Sequence, residues 1–383
     1  MLSDKKSGVM ISRAIEKEFS NSFFKKKVLV LYGPRQTGKT TLVRKVLEEK
    51  QEQALWLSGD EADVRQMLTD SNRTTLEGLF GKHRIVVIDE AQRIKNIGLT
   101  LKIAADFFPE IQVVATGSSS FELAKEITEP LTGRKKQFTL FPVSFAEMVS
   151  HDSLLEEKRR IEQRLRFGSY PELISSPGDE IELLQDIAES YLYKDILSFE
   201  KLRKPEVLHK LLRALALQLG SEVKYAELAR LLGIDNETVE RYVDLLEKAF
   251  IVFKLPSYNR NMRNEIKKGR KIYFYDTGMR NYIINNFNPL EMRADTGGLW
   301  ENWLILERMK MLAYKRLRTN SYFWRTLSQQ EIDYIEERGG TLSAWEFKWS
   351  KKQKSRLPPS FSAAYPGTQS SVVDINSFEA FLQ

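Results

Sequence analysis

The sequence predicts an α/β protein: a parallel-sheet core around a phosphate-binding loop, a helical middle region, and a second α/β domain at the end of its 383 residues. Three observations predict it. Gly33 to Thr40 read Gly-Pro-Arg-Gln-Thr-Gly-Lys-Thr and fit the phosphate-loop pattern G-x-x-x-x-G-K-[ST] without a mismatch. Further on, a short apolar run ends in two carboxylates, Asp89-Glu90. Five of the six tryptophans fall after position 299, a composition shift that marks a separate domain. A chain of this length also exceeds one ordinary core, so two or three domains are expected.

The first element is the apolar run Val28 to Tyr32, a buried strand. After the loop, Leu42, Val43, Val46 and Leu47 recur at helical spacing. A strand entering a glycine-rich turn that opens a helix makes an anion site: backbone N–H groups close around phosphate oxygens and the helix N-terminus adds partial positive charge. Gly33, Pro34, Arg35, Gln36, Thr37, Gly38, Lys39, Thr40 and Thr41 would therefore line the phosphates of ATP. Lys39 would reach the β- and γ-phosphates and the Thr40 hydroxyl would ligate Mg²⁺.

Arg84 to Glu90 reads as a buried parallel strand tipped by two carboxylates. Nucleotides bind at the carboxyl ends of such strands, so this tip would face the loop. Asp89 would hold Mg²⁺, directly or through water, and Glu90 would orient and deprotonate the attacking water. A third strand, Ile111 to Thr116, ends in Gly117-Ser118-Ser119-Ser120. Thr116 or Ser118 would contact the γ-phosphate or position the water, whereas Ser119 or Ser120 equally suits a helix N-cap. Arg134, in Leu131-Thr132-Gly133-Arg134, precedes a strand from Gln137 to Phe141. It would either stabilise transition-state charge in a neighbouring subunit of a ring-type ATPase or be a solvated arginine beside Lys135 and Lys136.

These stretches, with Ile88-Asp89-Glu90-Ala91-Gln92 among them, resemble the AAA+ superfamily. More narrowly, they resemble its widespread prokaryotic ATPases that carry a C-terminal domain of unassigned function. The resemblance continues through Gly168-Ser169-Tyr170-Pro171-Glu172, Tyr193-Lys194-Asp195-Ile196, Tyr275-Asp276-Thr277-Gly278 and Leu299-Trp300-Glu301-Asn302. It implies a P-loop AAA+ core, a helical lid, a winged helix and a nuclease-like end. The corresponding ranges are 1–150, 151–215, 216–257 and, including a basic linker, 258–383. A homo-oligomeric ring is an expectation from the resemblance alone.

In the middle, Leu154, Leu155, Ile161 and Leu165, then Ile181, Leu183, Leu184 and Ile187, form apolar helix faces. Tyr225 to Leu232, a turn at Gly233-Ile234-Asp235, and Asn236 to Lys248 make a helix-turn-helix pattern, with Phe250 to Leu255 as a wing. Its second helix carries Glu237, Glu240, Asp244 and Glu247 against Arg241 and Lys248. A helix that reads the major groove approaches phosphates and should be basic. A structural or protein-docking winged helix is therefore the expectation. Arg260, Arg263, Lys267, Lys268, Arg270 and Lys271 form the best candidate for a contact to a nucleic-acid backbone, or else a solvated linker.

The last domain reads as a helix, Leu299 to Leu312, then strands Ser321 to Thr326, Glu331 to Glu336 and Leu342 to Trp349. A short helix and a strand, Ser371 to Ile375, complete it. Alternation puts Glu331 and Asp333 on one strand face, and Ala344, Glu346 and Lys348 on one face of the next. In a hairpin Asp333, Glu346 and Lys348 converge, and Glu301 can join from the helix. The carboxylates Glu301, Asp333 and Glu346 would bind Mg²⁺, and Lys348 would lower the pKa of metal-bound water. This spacing resembles the PD-(D/E)XK, or restriction-endonuclease-like, superfamily, although Ile332 stands where that pattern has Pro. The alternative is a surface ion pair of Glu346 and Lys348 on a domain without activity.

Hydrophobic content of 42% and charged content of 29% describe a globular chain. Zero cysteines exclude disulfides and thiolate metal sites, and three scattered histidines disfavour a His-based zinc site. No apolar run is long enough to cross a bilayer and no signal peptide is visible, so the expected location is cytoplasmic, without a membrane partner. The net charge of +7 is a mild lean toward nucleic acid. The expected function is Mg²⁺-dependent ATP hydrolysis coupled to DNA binding or processing, on branched or single-stranded substrates, with cleavage by the last domain. The alternative is an ATP-dependent protein-docking switch with an inert nuclease-like end.

Overall fold

The computed structural model describes residues 10–118, 131–190, 205–258, 269–326, 328–350 and 358–383. Ser119 and Ser120, Tyr193 to Ile196, and Arg260, Arg263, Lys267 and Lys268 lie outside the described residues. The chain divides into two compact units between Val143 and Ser144, with 248–250 grouped with the first.

The first unit is built on strands β1 (Val28–Tyr32), β2 (Leu55–Ser58), β3 (Ile85–Asp89), β4 (Gln112–Gly117) and β5 (Lys135–Thr139). They form one sheet in the order β2-β3-β4-β1-β5, parallel throughout. Every residue of β1 and β4 is buried. That accounts for the apolar runs Val28 to Tyr32 and Val113 to Ala115: in a parallel sheet both faces are covered. β5 begins two residues before the expected Gln137 and buries only Phe138. An edge strand has fewer apolar positions to fill, and Lys135 and Lys136 discourage pairing with another edge. All carboxyl ends fall on one edge of the sheet, where Gly33, Asp89 and Gly117 meet. Val28 pairs with Lys135, so Arg134 lies at the opposite edge.

The second unit opens with a capping box. Ser144 Oγ accepts from Glu147 N and Glu147 Oε2 accepts from Ser144 N, starting the helix Phe145–His151. The boundary expected at 150 therefore moves to 143. Helices Leu154–Arg159, Ile161–Phe167, Pro171–Ser175, Glu180–Ala188 and Pro205–Leu217 follow. Two motifs of the resemblance form a latch between two of this unit's helices. The buried Asp276 accepts from Ser169 N at 2.8 Å and caps Thr277–Ile284 through Met279 N at 3.0 Å. A Cβ on Gly278 would lie 2.0 Å from Phe167 O, so only glycine allows this approach.

The expected helix-turn-helix segment forms the helices Tyr225–Leu232 and Asn236–Lys248 beside an antiparallel sheet of β6 (Glu222–Val223), β7 (Val252–Pro256) and β8 (Arg270–Phe274), in the order β6-β8-β7. The boundary expected at 257 thus separates two paired strands. β8 was expected in a basic linker, but it pairs with β7, the strand expected as the wing.

The last domain runs from the helix Thr296–Tyr314 through β9 (Asn320–Arg325), β10 (Glu331–Arg338) and β11 (Thr341–Phe347) to the helix Pro359–Ala364 and β12 (Gln369–Val373). The sheet order is β12-β11-β10-β9, with β11 and β12 parallel and the other pairs antiparallel. Trp300, Trp303, Tyr334, Phe347, Phe378 and Phe381 fill its core. Asn302 accepts from Phe274 N at 2.8 Å and donates to Phe274 O at 2.9 Å, fastening the long helix to the end of β8.

Candidate functional site

At the carboxyl edge of the first sheet the chain turns out of β1 through Gly33 and Gly38. Gly33 has φ +152° and a Cβ there would meet Leu140 O at 2.0 Å; Gly38 has φ +87°. Both positions demand glycine, for close approach and for backbone conformation. The helix Lys39–Glu49 then starts with its first N–H groups turned into the loop. Lys39 Nζ donates to Gly33 O at 2.9 Å and Pro34 O at 2.7 Å, and Thr37 Oγ1 donates to Pro34 O. The ammonium thus rests on the loop's own carbonyls. Arg35 is half-buried, and Gln36 and Thr41 are exposed.

Thr40 Oγ1 donates to Asp89 Oδ2 at 2.9 Å, so the two expected Mg²⁺ ligands are in contact. Thr116 is fully buried and donates to the other oxygen of Asp89. Its hydroxyl is therefore spent on orienting Asp89, in place of the expected contact to the γ-phosphate. Glu90, with φ +48°, is held by Gln92, whose Nε2 lies 2.5 Å from Glu90 Oε2 and 3.1 Å from Ser118 Oγ. Sequence reasoning missed Arg13. This buried side chain donates to Thr37 O at 2.7 Å and Phe141 O at 2.6 Å, clamping the loop from behind. A lone arginine upstream of a motif carries no pattern that would have revealed it.

Arg134 is not part of this chain's own site. It pairs with Asp106 and lies beside the start of β1, the length of a strand from the loop. At about 3.3 Å per residue that is on the order of 15 Å.

In the second unit, Glu301, Glu331 and Asp333 each present an oxygen within 4.8 Å of the others. Glu346 and Lys348 join them. Asp333 Oδ2 accepts from Phe347 N at 2.7 Å, and Lys348 donates to Glu346 at 3.2 Å. The expected convergence of Asp333, Glu346, Lys348 and Glu301 is therefore present. What the sequence hid is a lysine in their midst. Lys271, from β8, is 0% exposed, donates to Glu301 Oε1 at 2.7 Å and pairs with Glu331. Tyr273 on the same strand donates to the same oxygen of Glu301. Lys271 therefore leaves the expected basic surface patch. Arg270 pairs with Glu240 and stacks over Tyr225.

The electrostatics follow from burial. Burial pushes the Glu301 carboxyl up to about 7 against the pull of Lys271. It pushes Glu346 to about 7 with help from Asp333, and raises Asp333 against Lys271. For Lys271, burial acts downward, but the charges of Glu301, Glu331 and Asp333 outweigh it and hold the ammonium above its ordinary range. A divalent cation among Glu301, Glu331 and Asp333 would compete with that ammonium. Of the expected ligands Glu301, Asp333 and Glu346, Glu301 is the one whose oxygen Lys271 already holds.

Residues 25–149 match the family described as AAA domain. Residues 158–290 and 296–378 each match a domain of unknown function, DUF8612 and DUF4143. An uncharacterized protein of Mycobacterium tuberculosis is 28% identical over 328 residues, which cover 84% of this chain and 70% of that one. One from Haemophilus influenzae is 23% identical over 342 residues, covering 82% and 80%. One from Methanocaldococcus jannaschii is 27% identical over 308 residues, covering 69% and 63%. Among solved structures, the RuvB Holliday junction branch migration motor of Thermotoga maritima aligns with 67% of this chain and 95% of its own, at 20% identity and a TM-score of 0.33. A superposition that weak assigns no partner or substrate. The AAA domain match and the five-stranded parallel sheet together place an AAA-type ATPase domain in the first unit.

Proposed function

We propose that the chain is a Mg²⁺-dependent ATPase whose turnover is coupled to work on DNA, with the last domain as a metal-dependent DNA-binding or cleaving module. The observation that carries the ATPase reading is the 2.9 Å contact of Thr40 with Asp89, with Glu90 the next residue. Loop N–H groups and the helix N-terminus take the phosphates, and Lys39 leaves the carbonyls of Gly33 and Pro34 to reach them. Thr40 and Asp89 would hold Mg²⁺, which when bound offsets charge on the phosphate oxygens. Thr116 keeps Asp89 oriented, and Glu90 takes the proton of the attacking water. Arg134, at the far edge, would serve the site of a neighbouring copy in a homo-oligomer. Lys39→Ala and Glu90→Gln should each abolish hydrolysis; unchanged turnover in either sinks the assignment.

The convergence of Asp333, Glu346 and Lys348 supports the DNA-cleaving half of the reading. Asp333 and Glu346 would hold the cation, whose contribution is Lewis acidity, and Lys348 would stabilise charge developing beside it. Incubation with branched, duplex and single-stranded DNA plus Mg²⁺ or Mn²⁺ tests this. Cleavage should appear and vanish in Asp333→Ala and Lys348→Ala.

A second reading has one specific observation behind it. Lys271 already occupies the place of a cation between Glu301 and Glu331, as expected of an inert module in a nucleotide-controlled protein-docking switch. ATP turnover that DNA leaves unchanged, together with no cleavage, favours the switch; DNA-stimulated turnover favours the motor.

A further inference from the structure

Gln92 follows the two carboxylates in the short 3₁₀ turn Ala91–Arg93 and is 9% exposed. One end of its amide is spent: Nε2 donates to Glu90 Oε2 and to Ser118 Oγ. The other end is a buried acceptor, Oε1, without a hydrogen-bond partner among the described residues. Leaving a buried carbonyl unpaired costs about 1–3 kcal/mol, so a folded protein keeps one chiefly where something else completes it.

We infer that Gln92 Oε1 is the second acceptor for the attacking water, beside Glu90, in the hydrolysis proposed above. Amide bond lengths put Oε1 roughly 3.5–4.5 Å from the Glu90 oxygen that Nε2 touches. That gap is spanned by one water donating both its hydrogens through bonds of about 2.8 Å. Such a water turns its lone pair away from both acceptors and toward the phosphate. Its oxygen bonds to the γ-phosphorus as the bond to the β,γ-bridging oxygen breaks, and that electron pair leaves with ADP. One proton passes to Glu90. The other stays on the attacking oxygen, held by Gln92 Oε1, and becomes a hydroxyl of the released phosphate. Ser118 fixes the amide so that its oxygen, and not its nitrogen, faces the water.

The test separates this inference from the ATPase reading on which it rests. Gln92→Met keeps the length and removes both the acceptor and the donor to Glu90 and Ser118. It is therefore compared with Gln92→Lys, which keeps a donor, lacks an acceptor and should lose as much; parental turnover in Gln92→Lys refutes the acceptor role. The kcat of Gln92→Met should fall about 100-fold, the low end of the range for a side chain positioned for proton transfer, while the Kd of a fluorescent ATP analogue stays within about threefold. Gln92→Asn keeps the amide but retracts the oxygen, and should fall between Gln92→Met and the parent. If Glu90→Gln is dead and Gln92→Met and Gln92→Asn turn over at the parental rate, or faster, the role of Gln92 is refuted and the ATPase reading stands. If Glu90→Gln itself turns over normally, the ATPase reading fails first. A Gln92→Met loss that comes with weakened nucleotide binding instead assigns Gln92 to the shape of the loop and refutes the water contact.

Discussion

Replacing Lys271 with methionine keeps most of its volume and removes one charge from a place where water does not reach. The ammonium is 0% exposed and pairs with Glu301 at 2.7 Å and with Glu331. Removing one partner of a buried pair is destabilising by about 3–5 kcal/mol, because the remaining charge is neither solvated nor paired. Here the buried Glu301 loses its counter-charge, while Glu331 is 26% exposed and still pairs with Arg325, so the lower part of that range is expected. Urea denaturation followed by tryptophan fluorescence suits the question, since five of the six tryptophans lie in the domain that holds the cluster. The Lys271→Met midpoint should drop with the slope unchanged. Adding Glu301→Gln should recover part of the loss as a coupling between the two sites. A loss below about 1 kcal/mol would mean that the carboxylates are relieved without Lys271, and the account of Lys271 as the counter-ion of the cluster would be wrong.

Two further outcomes follow from described contacts. Arg13→Ala leaves Thr37 O and Phe141 O without their donor, at about 1–3 kcal/mol each. It should weaken ATP binding and lower the thermal midpoint; an unchanged ATP Kd removes Arg13 from the site. Burial raises the Asp276 carboxyl from 3.8 to about 6, so the folded chain holds that proton more tightly than the unfolded chain. Its contribution to stability is therefore full below about pH 4 and lost as pH rises to about 6, on the order of 3 kcal/mol at 1.36 kcal/mol per unit. The difference in urea midpoint between the parent and Asp276→Asn should change across that window; a flat difference refutes the shift.

How much was legible follows from where the information lies. The nucleotide site is written in consecutive residues, Gly33 to Thr40 and Ile88 to Glu90, so the local pattern carries strand, turn and helix together. The Asp333–Glu346–Lys348 convergence was also readable, because alternation along two adjacent strands fixes which side chains share a face. Arg13, Gln92 and Lys271 were not readable as site residues. Each acts across a gap in sequence or through an amide whose partners only the fold reveals. Lys271 misled for a physical reason: among Arg270 and its basic neighbours it looks solvated, and only the pairing of β7 with β8 turns it inward. The glycine and aspartate of Tyr275-Asp276-Thr277-Gly278 counted only as part of the resemblance; in the fold they let two helices touch.

β8 gives the middle and last regions of the chain a common inheritance. The 158–290 match contains the strand that supplies the buried ammonium, and the 296–378 match contains the acids that receive it. Charge complementarity of that kind does not survive shuffling: a terminal domain recombined onto a foreign middle region inherits the acids without their counter-ion. The two families should therefore travel as a pair from genome to genome, and a cleavage assay run on the isolated end would test a damaged protein.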